Sequence, residues 1–592
     1  MNRHIAGQVD EANQPGAIAE RWLADFSRAL DTGDLEALAD LFIEDAYWRD
    51  LLACQWDFRS IKGRELICAR LVNEASQSGL REFAVDHRYS PPHWETRAGK
   101  RVIEVIVAFS TGIGTGNGVV RLEPVEGGQR PYRAMGLMTS LQGLNGYPEA
   151  VDDNRRERVA VRNPGENWID QIERSGRFDG EEPEVMVVGA GHSGLMIAAR
   201  LQAMGVRTLV VEKSPRVGDI WRNRYHTLQL HNEIFTIDFP YTSFPRNWPV
   251  YLPKDMYAAW LEFYATAMEL AVWTSVGFAG ATYDEDDGRW TAQLTMADGS
   301  TRPIRPRHIV LATGGVSGRK FYPKLPGLQS FAGTVAHSAD VRPTDEYRGR
   351  KAIVVGTSTS GHDVALELHQ RGCDVTMVQR GPTNVISIEP ANTIYALYKE
   401  GRSIDEVDIV SIASDLPTTM YAFREFARRG ERHDSDLLEG LRKVGFRLDP
   451  GYMEGGYFAN YLNRGGGYYI DVGASPHLVD GRIKLAQNDE VERYEANGAR
   501  LRDGSLIEAD IVVLATGYLN QEADIDAYFG PAIAKRVGKV WGWDEAGELR
   551  RAWRPTGQRG LWLQLGGVPQ SRTYSKLLAL QIVAELRGIK DC

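Results

Sequence analysis

The chain has 592 residues, too long for a single hydrophobic core, and at about 150 residues per domain it divides into three or four. Its 43% hydrophobic and 25% charged residues are those of a globular protein, and 69 basic against 79 acidic side chains give a net charge of -10 that offers no general attraction for nucleic acid or anionic membrane. No apolar run approaches the ~20 residues of a membrane span. Met1 to Gly16 is polar with no secretory core, and the four cysteines (Cys54, Cys68, Cys373, Cys592) form no Cys-x-x-Cys pair, so the expectation is a cytoplasmic protein with inert thiols and no disulfide framework or structural zinc.

Behind the polar start, Ile18, Trp22, Phe26 and Leu30 recur at helical spacing. A short helix is predicted over Leu35 to Phe42, a strand at Ala46-Tyr47-Trp48 and a further helix over Gly63 to Ala75. Runs rich in β-formers follow at Glu82–Tyr89, Val102–Thr111, Gly118–Pro124 and Tyr132–Leu141. The glycine-dense Thr111–Gly118 is predicted to be the turn between two of these strands. It is no phosphate loop, because Val119-Val120-Arg121-Leu122 continues as strand and no helix follows. Helices followed by a meandering antiparallel sheet predict an α+β unit over residues 17–148. In element order and at Trp48-Arg49-Asp50 it resembles the SnoaL-like cone of the nuclear transport factor superfamily, whose members are enzymes, small-ligand pockets or dimerisation modules. A homodimer through this unit is one implication. Asp50 and His87 are either pocket acid/base groups or, as the absence of partner spacing favours, surface or structurally paired residues.

A charged linker, 149–182, opens with Asp152-Asp153-Asn154-Arg155-Arg156. Beyond it the pattern becomes strand–turn–helix–strand, the alternation of a doubly wound α/β fold. Val185-Met186-Val187-Val188 suits a buried parallel strand, Gly189-Ala190-Gly191-His192-Ser193-Gly194 follows at once, and Leu195 to Met204 reads as helix. A G-x-G-x-x-G alone is a weak signal. Here a second strand, Thr208–Val211, ends in Glu212 near the offset of a ribose-binding acid. Gly189 permits the tight turn, Gly191 lets the backbone approach a pyrophosphate, and Gly194 lets helix pack on strand, with the phosphates at the helix amino terminus. Glu212 suits a free ribose hydroxyl pair and repels a 2′-phosphate, so this turn is expected to take FAD or NAD.

The chain continues through Lys213-Ser214-Pro215-Arg216-Val217-Gly218-Asp219-Ile220-Trp221-Arg222, Leu228-Gln229-Leu230-His231-Asn232, and Trp248–Pro253. The strand His308–Leu311 ends in Ala312-Thr313-Gly314, and Phe331-Ala332-Gly333-Thr334-Val335-Ala336-His337 follows. A second nucleotide turn comes next: strand Ala352–Val355, then Gly356-Thr357-Ser358-Thr359-Ser360-Gly361, then a helix from Val364 to Gln370. Ser358 stands at the usual second-glycine position, where it hinders close approach but adds a hydroxyl for a phosphate, so binding should be altered rather than lost. The strand Asp374–Val378 ends in Gln379-Arg380. A base where NAD enzymes carry an acid is the partner of a 2′-phosphate, which argues for NADPH here; the alternative is a solvated surface arginine. Residues 385–480 are predicted to hold a lid or substrate-side insertion, with Tyr457, Tyr461, Tyr468 and Tyr469 either lining a pocket or packing. The strand Asp510–Leu514 ends in Ala515-Thr516-Gly517-Tyr518, and Gly566–Arg572 precedes an apolar helix, Tyr574–Leu586.

Over residues 183–592 these stretches, in this order, resemble the flavin-containing monooxygenases and their Baeyer–Villiger relatives, most of all the plant YUCCA-type and the fungal or bacterial members. The match lies in the G-x-x-W of Gly218 and Trp221, the two Ala-Thr-Gly turns, and the F-x-G-x-x-x-H of Phe331, Gly333 and His337; Val341 departs from the family's aromatic residue. The resemblance implies an α/β protein with two Rossmann-like dinucleotide-binding domains of three-layer ββα type. An NADPH domain, 348–484, is inserted in an FAD domain of residues 183–347 and 485–592. It implies cofactor binding by Gly189, Gly191, His192, Ser193, Gly194, Glu212, Lys213, Gly218, Trp221, Arg222, Ala312, Thr313 and Gly314 on the FAD side. Gly356, Ser358, Ser360, Gly361 and Arg380 would serve NADPH, and Ala515, Thr516, Gly517 and Tyr518 would complete the cofactor set. His337 would hold the interdomain linker and the nicotinamide geometry, Asn232 is either an active-site residue or an ordinary turn asparagine, and the carboxy-terminal helix would aim its dipole at the flavin pyrimidine ring. The implied reaction uses NADPH, FAD and dioxygen to form a flavin hydroperoxide. That species oxygenates a small organic substrate, at nitrogen or sulfur or by oxidative decarboxylation of a 2-keto acid. Baeyer–Villiger oxygenation of a ketone and a non-oxygenating redox sensor or NADPH oxidase are the alternatives; a disulfide reductase would need a dithiol the chain lacks.

Overall fold

In a computed structural model, described over residues 14–126, 130–157, 165–314, 318–342 and 345–590, the chain builds three units around one long helix near its carboxy terminus. The expectations for the first thirteen residues and for Cys592 lie outside the described residues. Pro15–Thr32 forms the first helix: Pro15 fits the first turn, Gly33 stops it at φ 66°, and Trp22, Phe26 and Leu30 share its buried face. Leu35–Ala39 is shorter than predicted, because Phe42 already belongs to the strand Phe42–Leu51. The sheet runs, in spatial order, 58–62, 42–51, 132–144, 114–124, 100–110 and 81–85, with 93–97 also paired to 100–110. The expected antiparallel meander holds with one difference. Phe42–Leu51 lies parallel to Tyr132–Leu144, since these first and last long strands are joined by a chain path that crosses through the helix Arg64–Ser78.

The glycine-dense stretch is less turn and more strand than its composition suggests, for Gly114–Pro124 is already paired. A Cβ on Gly116 would lie 2.2 Å from the Phe109 ring, and one on Gly118 would lie 2.4 Å from the Met138 carbonyl oxygen. These glycines serve close packing inside a sheet. Asp50 is buried, accepting from the Thr139 hydroxyl (2.7 Å) and the Cys54 N–H (3.1 Å), and burial pushes its pKa up to about 6. His87 is exposed, so the structure supports the structural reading of Asp50 and leaves no acid/base pair.

Two parallel sheets follow. The first has the order 271–273, 208–211, 185–188, 308–311, 561–563; the second has 334–337, 511–514, 351–355, 374–379, 483–487. Each carries a three-stranded antiparallel sheet beside it, at 277–304 and 491–508, which accounts for the ββα layering. The expected boundary at residue 485 does not follow the sheets. Ile511–Leu514 pairs with Thr334–His337 on one side and Lys351–Val355 on the other, so it is a central strand of the second sheet and not part of the first. The linker is also more ordered than a charged tether. It contains the helix Trp168–Arg177, capped by Asn167 and Asp170, and the Trp273 indole donates to the Gly176 carbonyl at 2.7 Å.

The amino-terminal sheet is apolar on both faces. One covers the helices carrying Trp22, Phe26, Ile67 and Leu71. Leu51, Ile106, Val119, Met138 and Leu141 on the other share a core with His192–Ala203 and Val568–Leu586. Buried charges latch the two units. Arg49 donates twice to Glu548 (2.9 and 2.6 Å), which also accepts from Ser60, and Arg121 reaches Ser414 at 2.6 Å and Tyr47 at 2.8 Å. The Glu548 side chain is 1% exposed. Arg49→Met, which strands that carboxylate, should therefore cost about 3–5 kcal/mol and lower the Tm. Arg49→Met combined with Glu548→Leu should recover most of the loss in the same thermal melt; equal Tm values for the single and double variants would contradict this account.

Candidate active site

The first turn has the geometry its glycines require. Gly189 sits at φ 107°, and a Cβ there would meet the Ala312 carbonyl oxygen at 2.7 Å. A Cβ on Gly194 would lie 1.9 Å from the Gly189 carbonyl oxygen, whereas one on Gly191 meets nothing within 4 Å. The outer side of the turn is thus an open cradle and its inner side is closed by the Ala-Thr-Gly strand end. Gly191 is the N-cap of His192–Ala203, whose side chains make no cap, so the first helical N–H groups face the cradle and suit a pyrophosphate. The Glu212 carboxylate accepts from the Ala190 N–H (2.9 Å) and the Ser214 N–H (2.8 Å), fixing it at the strand end with lone pairs left for ribose hydroxyls.

A second helix amino terminus converges here. Val568–Leu586 starts from Gly567, the His192 ring bonds the Gly566 carbonyl (3.1 Å), and Ser193 bonds Ser571 (2.8 Å). Burial lowers the His192 pKa, so the ring is a neutral donor. Two dipoles of the same sign at one place favour negative charge there. Tyr461, from the helix Gly456–Arg464, accepts from the Gly567 N–H at 2.6 Å and ties the 385–480 insertion to this end.

The second turn repeats the first almost atom for atom. Gly356 is at φ 117° with its Cβ position 2.3 Å from the Ala515 carbonyl oxygen, and that of Gly361 is 2.1 Å from the Gly356 carbonyl oxygen. Each turn therefore rests on its own Ala-Thr-Gly, Ala312–Gly314 beneath the first and Ala515–Gly517 beneath the second. Ser358 takes the extended N-cap conformation of Gly191 (φ -82°, ψ -177°), so the serine does not distort the turn. Arg380 is exposed at the end of its strand and has no partner among the described residues. Glu212 and Arg380, at equivalent strand ends, carry opposite charge.

His337 donates from Nε2 to the Gly517 carbonyl (2.9 Å) and accepts at Nδ1 from the Ala339 N–H (3.2 Å). With both nitrogens on backbone and its pKa lowered by burial, it clamps the second Ala-Thr-Gly turn and has no proton to move. Asn232 is half-buried and lies beside the Tyr395 hydroxyl, so it faces the insertion and not a solvent turn. Arg222 is engaged by Asp219 (2.9 Å), Glu262 (2.7 Å) and the Val217 carbonyl (2.7 Å); this braces the Gly218 turn instead of offering the guanidinium to a cofactor. Lys213 is exposed, Trp221 packs edge-on to Tyr257 (5.0 Å), and Tyr518 lies 5.3 Å from the His337 ring. Tyr457 donates to the Ala391 carbonyl and Tyr469 stacks on His362 at 3.9 Å, both packing roles; Tyr468 is half-buried.

Sequence reasoning missed the contacts that join the two turns. Arg224, from the first domain, places Nη2 3.5 Å from the Ser360 hydroxyl, and its buried Nε has no hydrogen-bond partner among the described residues. Tyr225 donates to Asp363 (2.5 Å), Thr227 to Glu367 (2.9 Å), and His231 lies 3.8 Å from Asp363. The loop that ends in Asn232 is thereby pinned to the second-turn helix. The only sequence signal was an Arg-Tyr-His run beside the G-x-x-W stretch, which has no local partner.

Residues 186–402 match the family described as "Pyridine nucleotide-disulphide oxidoreductase". That segment holds a single cysteine, Cys373, and so no dithiol. Indole-3-pyruvate monooxygenase YUCCA1 of Oryza sativa subsp. japonica is 31% identical over 338 residues, covering 57% of this chain and 77% of that protein. Indole-3-pyruvate monooxygenase YUCCA8 of Oryza sativa subsp. indica is 28% identical over 389 residues, 64% of this chain and 84% of its own. A flavin-containing monooxygenase from Stenotrophomonas maltophilia overlays 68% of this chain and 99% of its own at a TM-score of 0.45 and 17% identity.

Gly361→Ala should abolish NADP binding, measured by equilibrium dialysis, and leave the flavin content intact, because the added carbon strikes only the second turn. Arg380→Ala should cut the NADPH-over-NADH preference in flavin reduction by about 10–100-fold, the worth of a charge-assisted phosphate contact. Arg224→Ala should weaken both nucleotides alike. An unchanged preference in Arg380→Ala would show that the second turn does not read a 2′-phosphate through this residue.

Proposed function

Since the chain belongs to the flavin-dependent monooxygenase family of the YUCCA enzymes and uses FAD and NADPH, we propose that FAD lies on the turn Gly189–Gly194, that NADPH lies on Gly356–Gly361, and that the oxygenated substrate is a 2-oxo acid. The observation that carries the division of cofactors is the opposite charge at equivalent strand ends: Glu212 suits a ribose diol and Arg380 suits a 2′-phosphate. The substrate class is supported by the activity named for the relatives, indole-3-pyruvate monooxygenase.

FAD, when bound, supplies the redox and oxygen chemistry. Residues of this chain position and shield it. Gly191 and the helix N–H groups behind it would hold the pyrophosphate, and Gly567 at the head of Val568–Leu586 brings a positive dipole end to the same place. His337 keeps the second Ala-Thr-Gly turn in register, and Arg224 reaches from the first domain to the Ser360 hydroxyl, where it would meet a phosphate held on the second turn. Asn232, Tyr395 and Tyr461 close the site on the insertion side, where aromatic rings exclude water. The net conversion consumes a 2-oxo acid, dioxygen, NADPH and a proton, and yields the acid one carbon shorter, carbon dioxide, NADP and water.

The amino-terminal unit contributes no residue to either turn. Its helix-on-sheet order supports the SnoaL-like reading, and a dimer through it would use a face other than the sheet surface covered by Val568–Leu586. Among the described residues no helix is long and apolar enough to cross a membrane; dependence on NADPH supports a cytoplasmic setting.

Indole-3-pyruvate and phenylpyruvate should each drive NADPH oxidation with matching oxygen uptake, and mass spectrometry should find the acid shortened by one carbon. Formation of an ester or lactone from a ketone, with no turnover of any 2-oxo acid, would replace this reading by Baeyer–Villiger oxygenation. Hydrogen peroxide equal to the NADPH consumed with every substrate would replace it by an NADPH oxidase.

A further inference from the structure

Between the amino-terminal sheet, the helix Ile404–Ser411 and the middle of Val568–Leu586 lies a cavity of about 930 Å³, in the range of small-molecule sites. A smaller one of about 260 Å³ adjoins it and shares Gln142, Glu149 and Lys576. Neither is lined by any residue of the two nucleotide turns, nor by Asn232, Tyr395 or Tyr461.

Lys576 is the chemical feature that stands out. It is a half-buried lysine on a helix whose other residues are almost all buried, and it makes no hydrogen bond or ion pair among the described residues. The remaining cations of the cavity wall are already matched: Arg88 by Asp86, Arg200 by Glu149, and Arg572 by Asp408 at 2.8 and 2.6 Å. Desolvation lowers the Lys576 pKa, and Arg200 and Arg88 act in the same direction against Glu149 and Asp405. A lysine held this way is stabilised by an anion that replaces the lost water. Of the remaining acids, Glu82 and Asp152 at the exposed rim pair with Arg81 (3.8 Å) and Arg155 (3.7 Å), exposed Asp405 has no ion pair among the described residues, and half-buried Asp238 accepts from the Phe244 N–H; together they oppose a phosphate or any multiply charged ligand. The same cavity is lined by the hydroxyl-bearing Ser140 and Thr115 and by the aromatic Tyr89, Phe109 and Tyr241.

We propose that this cavity is a ligand site, separate from the flavin site, that binds a small aromatic monocarboxylate with its carboxylate on Lys576 and its ring against Tyr89 and Tyr241. One interior cation fits one negative charge, and the aromatic wall fits a ring of benzene or indole size. Because the site is built from all three units, a bound acid also tightens the docking of the amino-terminal unit, and it should raise the Tm by mass action.

The test is phenylacetate titrated into the oxidised FAD enzyme by calorimetry, with the flavin spectrum followed in parallel. Saturable binding is expected with no change in the flavin spectrum. Lys576→Met should weaken it by about tenfold or more, Lys576→Arg should retain it, and the uncharged 2-phenylethanol should not bind. A second measurement needs no variant: phenylacetate should protect Lys576 in the unaltered protein from acetylation by acetic anhydride, read from the mass of its peptide. Absence of saturable binding, binding that survives Lys576→Met, or acetylation of Lys576 at the same rate with and without the acid would each overturn the proposal.

Discussion

The helix Val568–Leu586 is the constraint on which the rest of the structure depends. Almost every one of its residues is buried, including Arg572, Gln581 and Glu585, and only Gln570, Thr573 and Lys576 in its first half are part-exposed. It must be covered all round: by His192–Ala203, by the strand Tyr132–Leu144 of the amino-terminal sheet, and by Ile404–Ser411. Three of its buried polar side chains find partners in place, Arg572 in Asp408, the Gln581 amide nitrogen in the Trp553 carbonyl (2.9 Å) and Glu585 in Lys590 (2.7 Å). Its amino end then falls beside the first nucleotide turn, because Ser193 and Ser571 hold the two helix starts together. One buried helix thus fixes both the seat of the amino-terminal unit and the electrostatics of the first nucleotide turn.

The two nucleotide turns show how one backbone solution can be given two chemistries. In both, a left-handed glycine passes under the helix and the carbonyl of an Ala-Thr-Gly alanine blocks any side chain there. That part is steric and leaves no choice of residue. The two turns differ at the strand ends, where Glu212 is fixed by two backbone N–H groups and Arg380 is exposed to solvent. An anchored carboxylate suits a buried, resident cofactor. A free guanidinium suits a nucleotide that must arrive and leave, since it gives up water only when the phosphate is present.

Charge buried between units is the other recurrent device. Arg49 with Glu548, Arg121 with Ser414, and Arg572 with Asp408 all join different parts of the chain. Such groups add little net stability when complete, but any misdocking leaves one of them bare at a cost of several kcal/mol, roughly. They select a single arrangement of three units that apolar contact alone would hold less specifically. Lys576 lies among them without a complement of its own.

Much of this was legible in the sequence because it is local. The turn glycines, the apolar strands before them, the Ala-Thr-Gly ends and the acid and base at Glu212 and Arg380 follow from the few residues on either side, and each carries a steric or electrostatic signature that no other residue type reproduces. The sequence also determined the helix-then-sheet order of the first unit. What only the tertiary structure decided depends on partners hundreds of residues apart. That Ile511–Leu514 joins the second sheet, that Phe42–Leu51 lies parallel to Tyr132–Leu144, that Arg222 braces a loop while Arg224 crosses to Ser360, and that Asp50 is a structural acceptor are all long-range pairings. A strand's neighbours and a side chain's counter-charge are set by which buried groups would otherwise be left unsatisfied, and that sum is closed only when the whole chain is packed.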